Sequence, residues 1–176
     1  MTILKNSIQL INRLNEFIGK RIAFLVIAMM VIIVYDVTMR YQYSIGSVAL
    51  QELQWHLFAL IFLLGSAYTL KYDEHVRVDV IYQSAWMNDR RRAWVNIFGS
   101  FFLLLPFCIL IIYTSYPFVY AAFIQNEMSP DPGGLPYRFL LKAAIPVGFG
   151  LLALQGLAQG LQNIVFLLEN KKDNAS

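Results

Sequence analysis

Four stretches of the chain, residues 22–39, 53–70, 94–116 and 143–168, are apolar almost throughout. An α-helix needs about 20 such residues to cross the ~30 Å hydrocarbon core of a bilayer. Inside that core every backbone N–H and C=O must find its partner within the chain, which leaves helices and closed barrels as the only spanning structures. The pattern therefore predicts an all-α membrane protein with four transmembrane helices. Charged residues make up only 14% of the 176, against about 25% in soluble domains, so a water-soluble fold could not clothe these runs. The length is that of one domain.

The first residues differ in character. Leu4, Ile8, Ile11, Leu14 and Ile18 recur at a helical period, with Lys5, Asn6, Gln9, Asn12, Arg13 and Glu16 around the rest. Residues 1–19 are thus expected to form an amphipathic helix along the membrane surface, with residues 20–176 as the four-helix transmembrane domain. The same pattern also fits a helix that simply begins the first span. No A-x-A-like cleavage site follows near residue 20, so the first span is expected to remain in the mature chain. Asp36 falls in the last turns of that span, close enough to the far surface to be hydrated. Pro106 is expected to kink the third span, and Pro117 to follow its end. Residues 126–136, NEMSPDPGGLP, read as a turn-rich connector.

Lysine and arginine set the orientation. With the N-terminus in the cytoplasm, that side receives Lys5, Arg13, Lys20, Arg21, Lys71, Arg77, Arg90, Arg91, Arg92, Lys171 and Lys172. The opposite side receives Arg40, Arg138 and Lys142. Eleven against three predicts that both termini are cytoplasmic.

Several clusters could carry function. Residues 69–83, TLKYDEHVRVDVIYQ, gather Lys71, Asp73, Glu74, His75, Arg77 and Asp79 between two apolar runs. A metal site is disfavoured there: no cysteine or second histidine is local, and no recognised oxygen-ligand loop spacing is present. A segment lying on the cytoplasmic surface, with Val76, Val78 and Val80 down and the charges among headgroups, fits better. In that reading His75, Arg77 and Asp79 brace the surface. Arg90, Arg91 and Arg92, with Trp94 and the opposite-end Trp55, read as interface anchors that meet membrane phospholipids. The basic run is too short, and too poor in surrounding basic and aromatic residues, for a nucleic-acid partner. Cys108 is expected to pack, and no cofactor is expected. No nucleophile–base pair or phosphate-cradling loop appears, so an enzyme is not expected either. Arg40, Glu52 and His56 cluster at the outer end of spans one and two. Glu52 can cap a helix start or pair with Arg40 or His56, and the group can also form an outer docking surface. In the last span Gln155, Gly156, Gln159 and Gly160 combine amides that need partners with a small-x-x-x-small pattern, which marks them as candidates for a subunit interface. Gln162 can share that role or lie near enough the surface to be solvated.

The chain resembles the small membrane subunit of tripartite ATP-independent periplasmic (TRAP) transporters, the DctQ-like family. The resemblance covers roughly residues 12–168. It rests on VTMRY at 37–41, Glu52 with Trp55, GSAYTLKYDEHVRVDVIY at 65–82, RRRAW at 90–94, and PDPGGLPYRFLLKAAIPVGFGLLALQG at 130–156. It implies a multi-pass protein of the bacterial inner membrane that associates with a much larger subunit holding the sodium and substrate sites. It further implies a periplasmic substrate-binding protein that delivers an organic acid or related anion. No catalytic, metal or substrate-binding residue is implied for this chain. Its role would be to brace the immobile scaffold, with residues 41–54 and 118–142 as the outer surface. A stand-alone small transporter and an assembly or regulatory subunit of an unrelated complex are the alternatives.

Overall fold

A computed structural model of the chain describes residues 2–72 and 87–173. Its elements are α1 (Thr2–Tyr43), α2 (Val48–Lys71), α3 (Asp89–Phe98), a π-helical segment (Gly99–Leu104), α4 (Leu105–Ile124) and α5 (Arg138–Asp173). Because α3, the π segment and α4 are continuous, they make one long rod. Among the described residues, four helical stretches are long and apolar enough to cross a membrane: Leu4–Tyr43, Val48–Lys71, Asp89–Ile124 and Arg138–Glu169. The chain is a multi-pass all-α membrane protein.

α1 departs from the expected division at residues 19 and 20. It runs unbroken for 42 residues, about 63 Å at 1.5 Å per residue. Residues 3–18 are therefore the N-terminal part of one long helix, continuous with the first span. Gly19 does not stop it, since a single glycine costs a helix only about 1 kcal/mol. Instead it creates room: a Cβ there would stand 2.1 Å from Cδ2 of Tyr68 on α2. At its far end α1 closes when Ser44 turns left-handed (φ 56°). The Ile45 N–H then bonds the Met39 carbonyl at 3.1 Å, satisfying a carbonyl that the helix end would leave free. Three residues on, the Ser47 hydroxyl accepts from the Leu50 N–H at 3.4 Å and caps α2.

α5 is the common partner of the bundle, packing along α2 and α4 and against α1, α3 and the π segment. The core is built largely from small side chains: Ala67, Ala93, Ala122, Ala144 and Ala158 are all buried. Helices in lipid gain nothing by hiding apolar surface from one another, so close backbone approach and packing hold them together. The large side chains turn outward instead. Phe58, Phe62, Phe102 and Tyr113 are each more than 60% exposed, which is tolerable only where the surroundings are themselves apolar.

The third rod shows what its prolines do. Pro106 carries no N–H, and its ring crowds the carbonyl four residues earlier, at Phe102. The strain is taken up as a widened π turn over Gly99–Leu104 rather than as a break. Pro117, expected just past the helix end, lies inside α4, which continues to Ile124. Just before it, Thr114 and Ser115 donate their hydroxyls to the carbonyls of Leu110 and Ile112 at 2.9 and 3.1 Å, and neither bond reaches the Tyr113 carbonyl that the proline frees.

Candidate functional site

The best-defined polar structure lies at one end of the bundle and centres on Glu52. Glu52 is buried in the first turns of α2, 4% exposed. One carboxylate oxygen accepts from the Ser129 hydroxyl, and the other from the Leu135 N–H at 2.6 Å. Both donors belong to the connector between α4 and α5, so a single carboxylate ties that loop to the head of α2. The connector is folded in its own right. The Ser129 N–H bonds the Leu135 carbonyl at 3.2 Å, Gly134 bonds Asp131 at 3.0 Å, and Arg138 bonds Glu127 at 3.0 Å. Gly133 has φ +80°, and a Cβ on Gly134 would come within 2.8 Å of the Glu52 carboxylate; only glycine allows both the turn and the close approach. Lys142 pairs with Glu127 and sits 3.9 Å above the Phe118 ring, which joins the start of α5 to the connector and to α4.

Of the sequence alternatives for Glu52, its anchoring of the connector replaces both helix capping and pairing with Arg40. Arg40 bonds Asp36 on its own helix at 2.5 Å, and Ser47 caps α2. His56 lies beside Glu52, its Nδ1–H donating to the Glu52 backbone carbonyl at 2.6 Å.

A second polar seam crosses the bundle between α1 and α5. Asn15 donates to the Gln155 side-chain oxygen at 2.7 Å, and Gln155 donates to the Asn12 side chain at 3.0 Å. Asn15 and Gln155 are 1% and 2% exposed. Lys5 and Glu169 add an exposed pair at 2.8 Å, worth little on its own in water. Glu16 meets Lys20 at 2.8 Å and also pairs with Lys71 on α2. The inner end of α1 is thus held by polar contacts on two sides.

These placements show what the last span's interface candidates touch within the chain. Gln155 is consumed inside the chain, and the two glycines face the chain's own third rod. A Cβ at Gly156 would lie 2.5 Å from Leu104, and one at Gly160 would lie 2.6 Å from Phe101. Gln159 accepts the Asn163 amide at its backbone carbonyl, 2.8 Å away. Trp55 and Trp94 point outward, 66% and 60% exposed, and Arg90 and Arg91 are exposed beside Arg92, whose guanidinium is 3.4 Å from Asp89. His75, Arg77 and Asp79 lie outside the described residues. Among those described, no group of three His, Cys, Asp or Glu side chains converges to hold a metal.

Asn15 was the residue the sequence pattern concealed. It shares a seven-residue phase with Ile8 and Ile22, which are buried with it. A polar residue on that phase was the available signal. Gln155→Leu is expected to destabilise the fold by about 1–2 kcal/mol, because it strands the buried Asn15 amide. Asn15→Leu combined with Gln155→Leu should recover most of that loss. Unfolding in mixed SDS micelles measures both, and equal losses in the single and double variants would argue against the seam.

Residues 29–165 match the family model described as tripartite ATP-independent periplasmic transporters, DctQ component. No curated protein matches the chain.

Proposed function

The chain belongs to the DctQ component family of tripartite ATP-independent periplasmic transporters, and from that premise we propose that it is the small membrane subunit of such a transporter. It braces a larger membrane subunit that carries the substrate and sodium sites. A periplasmic binding protein delivers the substrate, an organic anion, and the sodium gradient drives uptake. The single observation behind this reading is the family match, which reaches from within α1 to within α5 and so takes in all four long apolar helices. The described side chains fit a bracing role: the buried polar groups join helix to helix and loop to helix, as the Glu52 and Gln155 contacts do.

The orientation follows from charge. Eleven Lys and Arg against three support an orientation with both termini in the cytoplasm, and the family reading supports a bacterial inner membrane as the chain's location. Glu52 and its connector then face the periplasm, where the binding protein docks. The inner end of α1 and the segment with His75, Arg77 and Asp79 face the cytoplasm.

Sodium-driven uptake in proteoliposomes tests the role. The binding protein and large subunit are supplied with and without this chain, against a panel of organic acids. Uptake is expected to collapse without the chain while the large subunit stays folded. Undiminished uptake would remove the bracing role.

A further inference from the structure

α1 has two long faces, and the bundle uses only one. Ile8, Asn15, Ile22 and Asp36 are buried on the inward face. Opposite them, Leu10, Leu14, Phe17, Phe24, Val31 and Thr38 form an exposed stripe, spaced by threes, fours and their sums. That is the 3.5-residue repeat of a helix that packs along another helix. Leu10, Phe17, Phe24 and Val31 are 59–70% exposed. The outer half of the stripe is shallowly concave, a groove running from Ile27 to Thr38 past Met30 and Tyr35.

Lipid alone covers this stripe poorly. From Leu10 to Thr38 it measures about 42 Å along the helix, against ~30 Å of hydrocarbon. Burying it all in lipid tails would need a tilt of about 45°, beyond the 0–40° that membrane helices adopt. The repeat is most informative where the rest of the helix is polar: Leu10, Leu14 and Phe17 stand among Gln9, Arg13, Glu16 and Lys20. Arg21 falls on the same stripe. Its guanidinium lies 4.8 Å from the Phe17 ring centroid, and no described carboxylate pairs with it. A second copy in the same orientation would set Arg21 against Arg21.

We propose that this outward seam of α1, from Leu10 to Thr38, receives a helix of the large subunit that presents a carboxylate to Arg21. The proposal rests on the subunit reading above and adds to it the face that makes the contact. It lies on a different face from the α5 glycines, which the sequence offered among the candidates.

The test uses the affinity-tagged chain co-expressed with the large subunit and reconstituted in nanodiscs. A photoreactive phenylalanine analogue is placed in turn at Leu14, Phe24 and Tyr35, and at Phe102 and Tyr113 on the third rod. The α1 positions are expected to give a band at the summed mass of the two subunits, and the third-rod positions none. Cross-linking from Phe102 or Tyr113 alone, or a band at twice this chain's mass, overturns the seam. If the wild-type chain retains no large subunit, the subunit reading and the seam both fall. If it retains the subunit and α1 stays unlinked, only the seam falls. In the same pull-down Arg21→Glu is expected to lower retention severalfold and Arg21→Lys to preserve it; equal retention overturns the acidic contact.

Discussion

Glu52→Ala is expected to release the connector from α2 and leave it open to proteases, while the four helices still form. The carboxylate accepts the Ser129 hydroxyl and the Leu135 N–H together. Alanine leaves both donors facing a site from which water is largely excluded, and an unmet donor there costs more than the bond contributed. The loop then has to open to hydrate them. Limited proteolysis should show new cleavage within residues 126–136, with a fall in the thermal midpoint in detergent. Glu52→Gln should fall between, because the amide keeps one acceptor but places an N–H₂ against a donor. Ser129→Ala removes one of the two Glu52 bonds and the 3.2 Å bond that the hydroxyl accepts from the Asp131 N–H, and should do less than Glu52→Ala because the Leu135 bond remains. A connector as resistant in Glu52→Ala as in the wild type would show that Glu52 is not its anchor. If the outer surface carries the docking site for a binding protein, the same variant should weaken docking without touching any residue exposed on that surface.

The second large effect is steric. At Gly148 α5 runs against the backbone of α2: a Cβ would stand 2.7 Å from the Leu63 carbonyl oxygen and 2.9 Å from its carbon. Backbone cannot rotate aside, so Gly148→Ala must push the two helices apart. Overpacking of this kind costs about 1–3 kcal/mol, and Gly148→Leu should prevent the α2–α5 contact from forming. Two neighbours serve as controls. At Gly156 the nearest atom is the end of the Leu104 side chain, which can turn away, so Gly156→Ala should cost less. At Gly150 nothing lies within 4 Å, and alanine there should be neutral or stabilising by up to about 1 kcal/mol. Thermal unfolding in detergent should rank the three with Gly148→Ala lowest. Any order that puts Gly150→Ala below it would contradict the packing described for α2 and α5.

Much of this architecture was legible from residue type alone. Apolar runs of spanning length can satisfy their backbones only as helices, so the four spans followed from hydropathy. The prolines and glycines of 126–136 marked the connector for the same local reason, that their backbone angles do not suit a helix. Pro106 marked a disturbance, which takes the form of a π turn over Gly99–Leu104. Pro117 was misread as a stop. A proline forbids one hydrogen bond, and whether a helix ends there depends on what else can meet the freed carbonyl.

Pairings were a different matter. The amides of the last span demanded partners, but nothing local could say that Gln155 meets Asn12 and Asn15, residues 143 and 140 positions away. Gly156 and Gly160 announced a close helix contact without naming the helix, and it proved to be within the chain. The amphipathic periodicity of residues 3–18 could not show that Asn12 and Asn15 meet α5, because it is the same whether the polar side meets water or another helix's amides. Residue type was enough to mark the apolar surroundings, the four helices of spanning length and the places where helices yield, since each follows from the free energy of a residue in lipid or in a given backbone conformation. Which polar groups meet, which small residues touch which rod, and which face of α1 is left uncovered came from the packing of the folded chain. Those depend on distances between segments far apart in the chain.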